Sequence, residues 1–413
     1  MYAIQNIAEV INGRLLSIAD TNIEHLAYDS RKLQQPLTSL FFALKTSHAD
    51  GHRYIQDAYK RGVRAFVISE KIELPQAAVI LVKDTLEALQ KLAAHHRNRF
   101  QLPVIGITGS NGKTVVKEWL NALLEDDYHI VRSPKSFNSQ IGVPLSVWEI
   151  SKEHTLGIFE AGISTPGEME KVERLIRPTI GVLTNIGEAH SEGFTSDGEK
   201  LAEKLKLFSG AGTVIGPHEL LTPLTNKKFT WSEKEEASVK ITSIKKEKTS
   251  ALIHAVFKGD ELALQIPFTD DASIQNAVTC WCVLLYIKTP QAIIQKRFFT
   301  LHPVDMRLQL AQGINNCLLI NDSYSADPTS LKIALDFLAQ QSSGLKRTVI
   351  LSDFYESGKS EDVLYTEVAI LINQYNIQKL VAIGEKIGGG LQSGLGGSVM
   401  LQTYVTTEEF IRH

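Results

Sequence analysis

Apolar residues along this chain fall into short runs separated by segments of helical period. Ala65 to Ile68, Ala78 to Val82, Val104 to Thr108, Leu156 to Phe159 and Ile180 to Leu183 each read as a strand. Ile55 to Gly62 and Glu87 to Arg99 read as helices. After residue 112, Val115, Val116, Trp119, Leu120, Leu123 and Leu124 recur at helical spacing. Strands alternating with helices predict a parallel sheet, whose binding crevice lies at the strands' carboxyl ends. From 239 to 266 the pattern changes. Val239 to Thr242, Ala251 to Phe257 and Leu262 to Ile266 alternate or run apolar around turns near Lys248 and Gly259-Asp260. That predicts a β-rich insert or edge, closed by a helix from about Ser273 to Lys288. Further strands are expected at Cys317 to Ile320, Thr348 to Leu351 and Leu380 to Ile383, with a glycine-rich loop from Gly388 to Gly397. The fold class expected is α/β, in units of residues 1–98, 99–298 and 299–413.

At 413 residues, 43% hydrophobic and 22% charged, the composition is that of a soluble globular protein of about two to four domains. A net charge of −3 gives no electrostatic reason to expect nucleic acid. The N-terminus lacks a basic stretch followed by an apolar one, so no signal peptide is expected. The longest apolar run, near Cys280 to Ile287, is too short to span a bilayer. Cys280, Cys282 and Cys317 cannot all pair and read as reduced core residues. A cytoplasmic monomer without membrane or nucleic-acid partner is expected.

The densest chemistry lies at Gly109-Ser110-Asn111-Gly112-Lys113-Thr114, between the strand Val104 to Thr108 and the amphipathic helix. Glycines let backbone N–H groups curl around a phosphate, and the helix N-terminus adds a favourable dipole. Lys113 is placed to reach the terminal phosphates and the Thr114 hydroxyl to bind Mg²⁺. Ile107 stands where the general phosphate-loop pattern has its first glycine, so the match is to a variant. A nucleoside triphosphate, ATP, is the expected ligand. Glu160 follows the strand Leu156 to Phe159, where a Walker-B-type carboxylate belongs. His190 follows the strand Ile180 to Leu183, and the two side chains could converge on one crevice.

The loop Thr108-Gly-Ser-Asn-Gly-Lys-Thr114 resembles that of the Mur ligases and the folylpolyglutamate synthases, both ATP-dependent amide-forming enzymes. The resemblance to the Mur ligases runs over nearly the whole chain. It includes Tyr28-Asp-Ser-Arg31, His48-Ala-Asp-Gly-His52, Ser136-Phe-Asn138, Ile141-Gly-Val-Pro-Leu145, Glu160-Ala-Gly162, Asn185 to Phe194, Met306-Arg307, Asn321-Asp-Ser-Tyr324 and Leu351-Ser-Asp353. The Tyr324 and Ile141 segments are similar to the branch that joins D-alanyl-D-alanine to UDP-N-acetylmuramoyl-tripeptide, a step in peptidoglycan precursor synthesis.

The resemblance implies three domains: one for the uridine nucleotide, a central ATPase with a parallel sheet, and a Rossmann-like third domain. It implies that Thr114, Glu160, His190 and Lys204 hold two Mg²⁺ ions, with Asn138 supporting that shell. Asn276, Arg307 and Asp322 match nucleotide-contacting positions, while Ser30, Arg31 and Tyr324 match substrate-binding ones. Lys113, Asn138, His190, Lys204 and Arg307 are the implied catalytic set.

In relatives a lysine four residues before an aromatic is carbamylated by CO₂. Lys204, with Phe208 four residues on, fits that place, because an anionic carbamate suits Mg²⁺ where an ammonium would repel it. The competing reading is a plain surface lysine, with Lys200 and Lys206 as neighbours. Departures from the family pattern are Ala161 for leucine, Asp327 for the asparagine of Ala-Asn-Pro, Ser352 for glycine and Ser273 for histidine. The family's third domain continues through a Lys-Gly-Ser-type loop and a last helix, which nothing after Val405 supplies. The chain therefore reads as truncated at His413, and some relatives continue into an alanine racemase module. Two rivals stay open on the residues: a folylpolyglutamate-synthase-like ligase, and a P-loop regulatory NTPase.

Overall fold

The computed structural model describes every residue except 1, 20, 47–48, 188–192, 325, 343, 356, 358, 393 and 413. The chain divides into two compact units. The first comprises Met1–Gly106, Asp127–Ile163 and Glu168–Thr179, and the second Ile107–Asp126, Ser164–Gly167 and Ile180–His413.

In the first unit a five-stranded sheet has the order Arg14–Ser17, Ala78–Leu81, Ala65–Ile68, Ser39–Phe42, His25–Ala27. Arg14–Ser17 is antiparallel to its neighbour and the others are parallel. The strands Ser39–Phe42 and Ala65–Ile68 are buried at every position, as strands covered on both faces must be. The same unit pairs Ile130–Arg132 in parallel with Leu156–Glu160.

The helix Thr85–Arg97 starts on Asp84, whose carboxylate accepts the N–H groups of Leu86 and Glu87. Its inner face carries His96 into an aromatic cluster with Tyr2, Phe100 and Trp148. The Tyr2 hydroxyl lies 2.7 Å from His96 Nδ1, and Nε2 donates to the Ile150 carbonyl at 2.8 Å. Burial, reinforced by the nearby Arg99 charge, lowers the imidazole pKa to about 4. The unfolded chain takes up this proton near pH 6.5 and the folded one only near 4, so stability falls as pH drops through that window. Melting curves from pH 4 to 6.5 are expected to slope less steeply for His96→Gln than for the parent. Parallel slopes would remove His96 as the cause.

In the second unit four strands run parallel in succession: Ile180–Leu183, Thr213–Pro217, Lys228–Ser232 and Val239–Lys246. Ala251–Phe257 and Asp260–Ile266 then extend the edge antiparallel, the β-rich insert expected from the pattern change. The strand Val104–Thr108 spans the division, and in the second unit Thr184 N donates to Thr108 O at 3.0 Å. A hairpin, Gln309–Gln312 with Leu318–Asn321, precedes a three-stranded parallel sheet of Thr348–Ser352, Lys379–Ile383 and Met400–Tyr404. That sheet shares a core with the helices Pro328–Gln341 and Glu361–Gln374, built on Leu335, Tyr365, Val368 and Leu380.

Two details differ from the expectation. Gly388 to Gly390 belong to a short helix, Ile387–Gly390, instead of a loop. Cys317 is exposed just before a hairpin strand, whereas Cys280 and Cys282 are core residues. No helix among the described residues is long and apolar enough to cross a membrane.

Candidate active site

The loop after Val104–Thr108 turns on two left-handed glycines. Gly109 has φ +147° and Gly112 φ +81°, conformations that side chains rarely adopt. Space forbids a side chain as well. A Cβ on Gly109 would sit 1.9 Å from Thr184 Oγ1, and one on Gly112 2.3 Å from Asn276 Oδ1. Gly112 is the N-cap of the helix Lys113–Leu124, so the first-turn N–H groups, which have no acceptor within the helix, face the loop's hollow.

Partners distant in sequence brace this loop. Ser110 N donates to Asn185 O at 2.9 Å, and Asn111 N to Asn185 Oδ1 at 2.8 Å. Thr184 Oγ1 donates to Asn111 O at 2.6 Å. The ammonium of Lys113, buried at the helix start, donates to Gly109 O and Ser110 O, each at 2.8 Å. Lys204 Nζ reaches Gly109 O at 3.2 Å, and Lys200 Nζ donates to Gly187 O.

The helix Asp197–Leu205 carries Lys204, and Phe208 lies in the 3₁₀ turn Lys206–Phe208 that continues it. Lys204 is 1% exposed, which excludes the plain surface reading. Lys200 is equally buried, whereas Lys206 is half-exposed and pairs with Glu203. Burial, then the charges of Lys113 and Lys200, holds the Lys204 ammonium well below the ordinary lysine range.

Beside the loop lies a cavity of about 260 Å³ lined by Asn111, Gly112, Asn276, Arg307 and Asp322. Five residues singled out in the sequence thus meet in one place. Trp119 and Phe268 also line it, their rings stacked 4.7 Å apart. An apolar slot next to a phosphate loop suits a nucleobase. The Arg307 guanidinium donates to Thr114 Oγ1 at 3.4 Å and lies on the ring of Tyr324. Burial pushes the Asp322 carboxyl up to about 6, against the pull of the Leu308 N–H it accepts and of Arg307. Asp327, a departure from the family's asparagine, caps the helix Pro328–Gln341 by accepting Ser330 N at 3.0 Å, which either residue type can do.

Other residues singled out in the sequence belong to the first unit. Glu160 ends the strand Leu156–Glu160 fully buried, its N–H donating to Ser133 Oγ at 3.1 Å. Asn138 accepts Gly162 N at 2.8 Å, and its side chain packs on that glycine, two residues beyond Glu160. Ser30 is buried, while Arg31 is exposed and forms two 2.9 Å bonds to the carboxylate of Asp29. His190 lies outside the described residues. Sequence reasoning assigned no site role to Asn185, Thr184, Trp119 or Phe268. The only local signal for the first two is their place directly after the strand Ile180–Leu183.

A braced glycine loop between parallel strand and helix, with a base-sized slot beside it, defines a P-loop nucleotide-binding protein. The profile of the Mur ligase middle domain matches residues 107–284, and that of the Mur ligase family catalytic domain matches residues 22–97. The UDP-N-acetylmuramoyl-tripeptide–D-alanyl-D-alanine ligase of Bacillus subtilis (strain 168) is 32% identical over 404 residues, 95% of this chain and 87% of the relative. Its counterpart from Escherichia coli (strain K12) is 27% identical, over 93% of this chain and 86% of the relative. The chain belongs to the Mur ligase family. Its fold is similar to that of MurF from Acinetobacter baumannii, with TM-score 0.85 at 24% identity over all of this chain and 91% of that one. It is also similar to the MurF ligase from Thermotoga maritima in complex with ADP, with TM-score 0.74 at 19% identity over 94% of this chain and 95% of that one.

Proposed function

We infer that this chain is the ATP-dependent ligase that adds D-alanyl-D-alanine to UDP-N-acetylmuramoyl-tripeptide in peptidoglycan precursor synthesis. The observation that carries this reading is the braced phosphate loop with Arg307 on Thr114, in a chain similar end to end to such ligases. That breadth of similarity, first-domain segments included, favours it over a folylpolyglutamate-type ligase or a regulatory NTPase. The domain division at about 98 and 298 is supported by family matches over 22–97 and 107–284.

Joining a carboxylate to an amine is uphill in water, so the carboxylate must be activated. The terminal carboxylate of the tripeptide attacks the γ-phosphate of ATP and forms an acyl phosphate. The amine of D-alanyl-D-alanine attacks that carbonyl, and phosphate leaves. Lys113 and Arg307 stabilise charge on the transferring group. Asn276 and the Trp119–Phe268 wall receive the base, and Asp322 holds the turn of Arg307. Ser30 and Arg31 bind the UDP part, a role that suits a guanidinium exposed and already oriented by Asp29. Aligning three reactants contributes on the order of 7–11 kcal/mol where orientation is good. Both nucleotide substrates are those of the cytoplasm.

Mg²⁺ is the cation that the chemistry of the proposed donors suits. The family resemblance assigns the ion to Thr114, Glu160 and His190, whose hydroxyl, carboxylate and imidazole are donor types that would suit it. An ammonium at Lys204 does not fit, and burial beside the charges of Lys113 and Lys200 favours the neutral amine over the ammonium. That nitrogen attacks CO₂, an N–C bond forms, one proton is lost, and an anionic carbamate results. When bound, Mg²⁺ supplies charge neutralisation on the triphosphate. Phosphate release from ATP tests the whole reading, with each acceptor omitted in turn. Release is expected only when UDP-N-acetylmuramoyl-tripeptide and D-alanyl-D-alanine are both present, and release indifferent to them would refute the ligase.

A further inference from the structure

Arg307 sits in a backbone that does not hold itself. Met306 and Leu308 on either side have φ of +60° and +49°, left-handed values costly for residues other than glycine. Such a turn persists only where its surroundings fix it. Arg307 N donates to Val304 O at 3.1 Å, and Leu308 N donates to Asp322 Oδ1 at 3.2 Å. Two residues beyond Asp322, the ring of Tyr324 lies against the guanidinium, with Arg307 Cζ 3.8 Å from the ring centroid. The guanidinium's Nη2 points at Thr114 Oγ1. One short loop after the strand Leu318–Asn321 thus holds both the backbone and the side chain of Arg307.

We propose that Tyr324 is a positioning residue for phosphoryl transfer, its ring face keeping the Arg307 guanidinium aimed at the phosphate-loop threonine. This rests on the reading of Arg307 as the cation that meets the transferring phosphate. Family resemblance placed Tyr324 with the substrate-binding residues, where its hydroxyl would matter. A cation over an aromatic face needs only the ring, so phenylalanine serves as well. Without the ring, the guanidinium loses the flat face it lies on, and more rotamers open to it. Tyr324 is half-exposed, so its removal leaves no buried void.

Steady-state kinetics of ATP-dependent ligation by the full chain test this. Tyr324→Leu is expected to lower kcat roughly 5- to 30-fold, the span of a partly desolvated cation–π contact, with KM of both acceptors within about twofold. Tyr324→Phe is expected to recover most of that loss. Tyr324→Met repeats the aliphatic test, and thermal midpoints close to the parent's establish that each variant folds. In an Arg307→Ala background, Tyr324→Leu is expected to cost less than about twofold, because the partner is already gone. The proposal is overturned if Phe falls as far as Leu, if Leu raises an acceptor's KM at unchanged kcat, or if the loss persists without Arg307. Arg307→Ala at the parental rate would instead sink the reading of Arg307, and the proposal with it.

Discussion

Lys113→Ala is expected to fold normally and to release phosphate from ATP at least about a thousandfold more slowly than the parent. The lysine begins a helix, where alanine is a good residue, so secondary structure is not at stake. Its ammonium bridges the carbonyls of Gly109 and Ser110, and their lost bonds cost on the order of 1–2 kcal/mol. Where Lys204 is not carbamylated, removing the Lys113 charge also relieves repulsion on that lysine. Stability therefore changes little, whereas the proposed phosphoryl transfer loses the cation that the phosphate loop supplies. Thermal unfolding and phosphate release on the same sample check both halves. A variant within tenfold of the parent would mean the loop does not grip the triphosphate.

Lys204→Ala is expected to lose roughly a hundredfold or more in turnover and to regain part of it in formate or acetate. A buried side chain leaves a hole, and a small carboxylate can enter it and restore the oxygen anion that a carbamate provides. Methylamine discriminates between chemistries, since it restores an amine and not an anion. Rescue by methylamine and not by formate would assign the role to the unmodified ammonium. Full activity of Lys204→Ala with no additive would remove the carbamate from this position.

The framework was legible because it depends on local periodicity. Ala65–Ile68, Ile180–Leu183 and Ala251–Phe257 form strands with the bounds that their apolar runs suggest. The glycines of the phosphate loop were legible for the same reason, since their neighbours in sequence are their neighbours in space. Gly388 to Gly390 misled because three glycines suggest a loop, yet packing of Ile387 and Leu391 into the core winds them into a helical turn. Burial of Lys204 was not legible: Lys200, Lys204 and Lys206 share one short stretch, and only tertiary packing turns the first two inward. The bracing role of Asn185 was not legible because the amide it accepts lies 74 residues away, and no local pattern records such a bond. Trp119 read as an ordinary core position, and only folding brings Phe268 to its face.

The scaffolding around Ser110 and Asn111 has a thermodynamic consequence. Because Asn185 and Thr184 already fix the loop, the disorder it must surrender is settled once, when the chain folds, and not again at every turnover. A rigid nest of this kind holds the phosphates shared by spent and fresh nucleotide about equally well. On the proposed reading, discrimination between them falls to the far end of the loop, where Arg307 meets the Thr114 hydroxyl.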